Sequence, residues 1–75
     1  MIDVRATSNH LRDLMSERGL EPKDLTKACH TDRKTVYKWL NGQLPSIDNL
    51  LALSDLLGVS INDMIVRKEQ NEATT

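Results

Sequence analysis

The sequence predicts an all-α domain, and three observations lead to that class. Apolar residues recur at helical spacing throughout the chain. Glycine and proline fall at the ends of those stretches, where they punctuate helices, and not inside them. A chain of 75 residues buries only roughly 60% of the surface its unfolded form exposes, so it builds one core from short elements.

The first helix carries Leu11, Leu14 and Met15 on one face and stops at Gly19 after Arg18. Its start is open, because Asp3, Thr7 and Ser8 are all capable N-caps. Pro22 suits the first position of a second helix, where a missing amide costs nothing, and Leu25, Ala28 and Cys29 form its apolar stripe. Asp32 is placed to cap a third helix, Arg33 to Asn41, with Val36 and Trp39 facing inward and Asn41-Gly42 as the stop. Pro45 ends that stretch and Ser46 caps a fourth helix, in which Ile47, Leu50, Leu51, Leu53, Leu56 and Leu57 form the most apolar run up to Gly58. Ser60 with Asp63 three residues on opens a last turn or two through Ile61, Met64 and Ile65. These elements place one domain over residues 1–66 and a tail over 67–75, which carries almost nothing apolar.

Composition narrows the function. One cysteine closes no internal disulfide, and Cys29 with His10 and His30 cannot assemble a four-ligand zinc site. No apolar run approaches the length of about 20 residues that spans a bilayer, and Met1-Ile2-Asp3-Val4-Arg5 is not a signal pattern, so the expected location is the cytoplasm. Asp13, Glu17 and Asp55 are scattered over helix faces and form no carboxylate pair for acid–base work. The expectation is a protein that is not an enzyme and uses neither metal, cofactor nor small-molecule substrate.

The net charge of -1 conceals an asymmetry. Between Pro22 and Gln43, Lys23, Lys27, Arg33, Lys34 and Lys38 face only Asp24 and Asp32, a local excess of +3, while the rest of the chain carries -4. A basic island on an acidic body is the arrangement that a nucleic-acid contact requires. At about 100° per residue, Arg33, Lys34, Tyr37, Lys38 and Asn41 share one arc of the third helix, and Thr35, Val36 and Trp39 lie opposite. Cationic side chains donate to guanine O6 and N7, and Asn binds adenine or phosphate, so the outer arc has the donors that groove reading uses. Trp39, opposite that arc, reads as core. Tyr37 is either a base or sugar contact or a surface cover for its neighbours. Cys29 reads as a small core residue, and His10 and His30 as surface or turn residues.

Two short helices joined by Cys29-His30-Thr31-Asp32 form a unit that can place a helix in the major groove. The ordered series Leu11-Arg12-Asp13-Leu14, Gly19-Leu20, Asp24-Leu25, Arg33 to Gly42, Leu44-Pro45-Ser46, Leu56 to Ser60 and Asp63-Met64-Ile65 resembles the phage-repressor-like helix-turn-helix family, the Cro and lambda-repressor-like class. The series covers about three quarters of the chain. The resemblance implies a compact five-helix domain whose second and third helices are the helix-turn-helix, with Leu25, Cys29, Val36 and Trp39 as its core. It implies base contacts from Arg33, Lys34, Tyr37 and Lys38, and backbone contacts from Asn41 and Gln43, with Lys23 and Lys27 as further cations. Its implied partner is double-stranded DNA, commonly bound by a homodimer on a two-fold operator.

The chain departs from the family pattern at several positions. Pro22 stands where the family often has glutamine and removes a side chain and an amide that hold phosphate. Glu21 and Asp32 bring negative charge near the DNA backbone. Thr26 and His30 replace small turn residues, which opens the crossing of the two helices, and Leu40 replaces a frequent glutamate at the margin between core and surface. Pro22, Glu21 and an exposed Leu40 motivate a second reading, a protein-interaction module such as an antitoxin or antirepressor with a protein partner. The first reading is a regulator that occupies an operator without sensing a ligand. Oligomeric state is open, since the leucines of the fourth helix with Ile61, Ile65 and Val66 either make a two-fold contact or complete a monomer's core.

Overall fold

A computed structural model describes residues 1–68 of the chain. They form five helices: α1 (Val4–Glu17), α2 (Pro22–Cys29), α3 (Arg33–Leu40), α4 (Ile47–Leu57) and α5 (Ile61–Met64). Each begins on the local chemistry that satisfies its free amides. The Asp3 carboxylate accepts from Ala6 N–H at 3.0 Å, which fixes the start of α1 among its three candidate caps. Asp24 turns its carboxylate back to the Glu21 N–H at 2.8 Å, and Pro22 follows as the first residue of α2. Asp32, Ser46 and Ser60 accept from the amides of Thr35, Asn49 and Asp63 at the starts of α3, α4 and α5.

The helix ends are equally local. Gly58 adopts the left-handed conformation that closes α4. His30 does the same for α2 with a φ of 52°, an uncommon conformation for a residue with a Cβ. Helix α2 runs through Cys29, so the turn to α3 is only His30-Thr31-Asp32. Helix α3 ends one residue earlier than expected, with Asn41 as its C-cap.

One core joins all five helices: Leu11, Leu14 and Met15 of α1, Leu25 of α2, Val36, Trp39 and Leu40 of α3, Leu50, Leu53 and Leu57 of α4, and Met64 of α5. Burial stabilises each such side chain by about 1.5–3 kcal/mol relative to exposure. Leu40 is 6% exposed, so of its two readings, core residue or surface spot, the structure takes the core one, and one motive for a protein-interaction module falls away. Ile47 and Leu51 are the opposite correction. They are 68% and 52% exposed, because α4 carries apolar residues over a wider arc than the core can cover.

The two ends of the described segment meet in a short antiparallel bridge between Ile2 and Arg67. Asp3 N–H donates to Val66 O and Lys68 N–H to Met1 O, each at 2.8 Å. Thr7, buried on α1, accepts from Val66 N–H at 3.0 Å and donates to Asp3 O at 2.8 Å. Arg67 and Lys68, expected in the tail, are therefore paired with the N-terminus. The rest of the expected tail, 69–75, lies outside the described residues. Among the described residues, no helix is long and apolar enough to cross a membrane.

Candidate nucleic-acid interface

The α2–α3 pair exposes one face of each helix. Leu25, Val36 and Trp39 are turned into the core and Cys29 is partly buried against it. Opposite them, Arg33, Lys34, Tyr37 and Lys38 are exposed on α3, with Tyr37 at 47%. Lys23 and Lys27, four residues apart on α2, are also exposed. Among the described residues the single ion pair is Arg18 with Glu17, so all five cations of the basic segment keep their charge outside any such pair. Asp32 is occupied differently. Hydrogen bonds from Thr35, through its side chain and backbone, hold the Asp32 carboxyl below the usual carboxylate range, which commits its charge to the start of α3.

The C-terminal end of α3 is fixed from α1, a feature the linear charge pattern conceals. Ser8, buried on α1, donates to Trp39 O and accepts from Gly42 N–H at 2.9 Å. Arg12 reaches the same end: its Nε donates to Leu40 O at 3.0 Å and one of its Nη atoms to Asn41 Oδ1 at 3.2 Å. Asn41 Nδ2 donates in turn to Tyr37 O at 2.7 Å. Gln43 is exposed beyond Gly42, and its N–H donates to Lys38 O at 3.1 Å. Four carbonyls near the negative end of the α3 dipole, those of Tyr37, Lys38, Trp39 and Leu40, are thus met by donors, two of them from α1.

Arg5 and Arg12 belong by sequence to the acidic part of the chain, yet the fold carries both to the end of α3. Sequence reasoning assigned them no role. The available signal is their spacing on α1, since residues 5, 8 and 12 fall on one face of a helix.

Burial pushes the Cys29 thiol up, which favours the unreactive protonated form, and its sulfur sits 3.9 Å from Asn49 O. His10 is hydrogen-bonded to Asp63 O at 2.8 Å and ties α1 to α5. Among the described residues no group of three or more His, Cys, Asp or Glu side chains is placed to hold a metal ion.

Comparison with known proteins converges on this geometry. The fold is similar to that of C.AhdI, the restriction-modification controller protein of Aeromonas hydrophila, with a TM-score of 0.74 and 25% identity over 83% of this chain and 96% of that one. It is also similar to a transcriptional regulator from Listeria innocua, with a TM-score of 0.73 and 22% identity over 91% of this chain and 66% of that one. No curated protein matches the sequence. The model of the Cro/C1-type helix-turn-helix DNA-binding domain matches residues 10–70. With two capped helices around a three-residue turn and a cationic outer face on the second of them, the chain belongs to the Cro/C1-type helix-turn-helix DNA-binding family.

Proposed function

We propose that this protein is a sequence-specific regulator of transcription that occupies double-stranded DNA with α3 in the major groove. The observation that carries the reading is the outer face of α3, where three cations and a phenol are exposed on a helix whose other face is core. Arg33, Lys34, Tyr37 and Lys38 face base edges, and Lys23, Lys27, Asn41 and Gln43 face the phosphate backbone. Phosphate contacts set register and base contacts set sequence preference. The DNA-binding unit is residues 1–66, with its end fastened by the pairing of Arg67 and Lys68 to the N-terminus. Its action is occupancy of a site in the cytoplasm, without catalysis, in the manner of a repressor.

The test is charge reversal on the reading face. Lys38→Glu is expected to abolish binding to a preferred duplex while thermal unfolding stays within a few degrees of wild type, because Lys38 is exposed and contributes nothing to the core. Undiminished affinity in that variant would overturn the placement of α3 in the groove.

A second reading, association with another protein chain, is favoured by Ile47 and Leu51. They lie one turn apart on α4 and are both largely exposed. A two-fold contact between copies of this chain through that face is compatible with operator binding, since a dimer would present two α3 helices to two half-sites.

A further inference from the structure

Pro22 presents a difficulty for the proposed interface, because it deletes an amide and a side chain at the start of α2 where a phosphate would be held. The same position borders a depression of about 290 Å³ between α1, the start of α2 and the end of α3, lined by Arg12, Met15, Ser16, Leu20, Pro22 and Leu40. Among the described residues Arg12 is its only charged lining residue. Arg12 spends two donor atoms on Leu40 O and Asn41 Oδ1, but a guanidinium carries five N–H donors in a rigid fork that suits phosphate. Seven residues earlier on the same face of α1, the Arg5 guanidinium lies over the open Cα of Gly42, where a Cβ would sit 3.6 Å from an Nη atom. Ser8, midway between them, holds the Asn41-Gly42 peptide region through Gly42 N–H.

We propose that Arg12 and Arg5 form a phosphate-backbone clamp on α1, in which Arg12 supplies the anion donor that Pro22 has removed and Arg5 engages a neighbouring phosphate beside Gly42. The two side chains start roughly 10 Å apart along the helix, at 1.5 Å rise per residue, and reach Asn41 and Gly42 respectively. Asn41 completes the site. Because its Oδ1 faces the guanidinium and one hydrogen of Nδ2 goes to Tyr37 O, the second Nδ2 hydrogen is oriented as a further donor. The positive charge also offsets Glu21, which adjoins Pro22 and would repel a phosphate there. This clamp rests on the DNA-binding reading given above and extends it to α1, a helix outside the helix-turn-helix.

The experiment is the salt dependence of affinity for a fluorescent random-sequence DNA duplex, measured by anisotropy for the full chain and its Arg12→Gln, Arg5→Gln and Arg12→Lys variants. Each phosphate contact contributes about 0.9 to the slope of log affinity against log salt. The clamp predicts slopes shallower by about that amount in Arg12→Gln and again in Arg5→Gln, with Arg12→Lys keeping most of the wild-type slope because the charge remains. Arg5→Gln breaks no hydrogen bond among the described residues, so it reads the charge without disturbing the fold. Slopes equal to wild type in both glutamine variants would overturn the clamp while leaving the DNA-binding reading intact. An Arg12→Lys slope as shallow as that of Arg12→Gln would make Arg12 a scaffold for Asn41 and overturn it as well. A wild-type chain that binds no duplex at any salt would overturn the DNA-binding reading itself, and the clamp with it.

Discussion

Arg33 opens α3 and is exposed, immediately after the residue that caps the helix. The N-terminal part of a recognition helix is the part that reaches base edges. An Arg33→Ala variant is therefore expected to relax preference at one base position by about 1–3 kcal/mol, with other positions unchanged, when affinities for single-base variants of a preferred duplex are compared. A loss that is uniform over all sequences would make Arg33 a phosphate contact instead. Asp32, its neighbour, has a lowered carboxyl pKa because Thr35 hydrogen-bonds to the charged form. A group whose folded pKa lies below its unfolded value stabilises the protein above the unfolded pKa and loses that contribution as pH falls through the folded value. The melting temperature of wild type should thus exceed that of Asp32→Ala at neutral pH, and the gap should narrow as the solution is taken below the ordinary carboxylate range near pH 3.9. A gap constant with pH would mean that the cap acts without its charge.

At the scale of the helices, the punctuation was legible because capping is local. Asp32, Ser46 and Ser60 each accept the amide three residues on, and Gly58 sits at positive φ directly after α4 while Gly19 does so one residue beyond the Arg18 cap of α1. Only a side chain, a turn and a few consecutive amides are involved, all within reach of a sequence window. The burial of α4 was not legible, for a geometric reason. Its apolar residues spread over well more than half the helix circumference, so periodicity alone does not say which of them the core covers; the structure buries Leu50, Leu53 and Leu57 and leaves Ile47 and Leu51 outside. Leu40 was ambiguous in the same way, lying at the edge of its arc until α1 was packed over it. The turn between α2 and α3 offers a sharper test of backbone conformation. His30 carries a Cβ in the left-handed region that Gly58 occupies without one, and an added Cβ at Gly58 would meet nothing within 4 Å. Steric contact is therefore not in play, and Gly58→Ala should lower stability by about 1–2 kcal/mol through backbone strain alone. His30→Gly should raise it by up to about 1 kcal/mol, the relieved strain being partly offset by the greater freedom of glycine in the unfolded chain. Equal signs for the two changes in a denaturant titration would contradict this account of the caps.

Over the whole molecule, the features least visible in the sequence are those that join distant segments. The Ile2–Arg67 bridge, the Thr7 hydroxyl on Val66 and the Ser8 and Arg12 bonds to the end of α3 link residues 28 to 65 positions apart, and no short-range pattern encodes such pairs. The charge map changes for the same reason: a linear count gives Arg5 and Arg12 to the acidic body, while the folded chain sets them beside the reading helix. The face that folding leaves bare on α4 is where the proposed two-fold contact is tested. If Ile47 and Leu51 form the two-fold contact, Leu51→Asp should convert a dimer to a monomer in sedimentation analysis with little change in the monomer's fold, since Leu51 is 52% exposed. A wild-type chain that sediments as a monomer at all accessible concentrations would remove that contact. The central claim, that α3 reads sequence in duplex DNA, is tested most directly by selecting bound duplexes from a randomised pool and measuring affinity for the enriched sequence across a salt series. The account predicts a recurrent motif whose affinity falls steeply with salt. A pool that remains unenriched after repeated selection would contradict it.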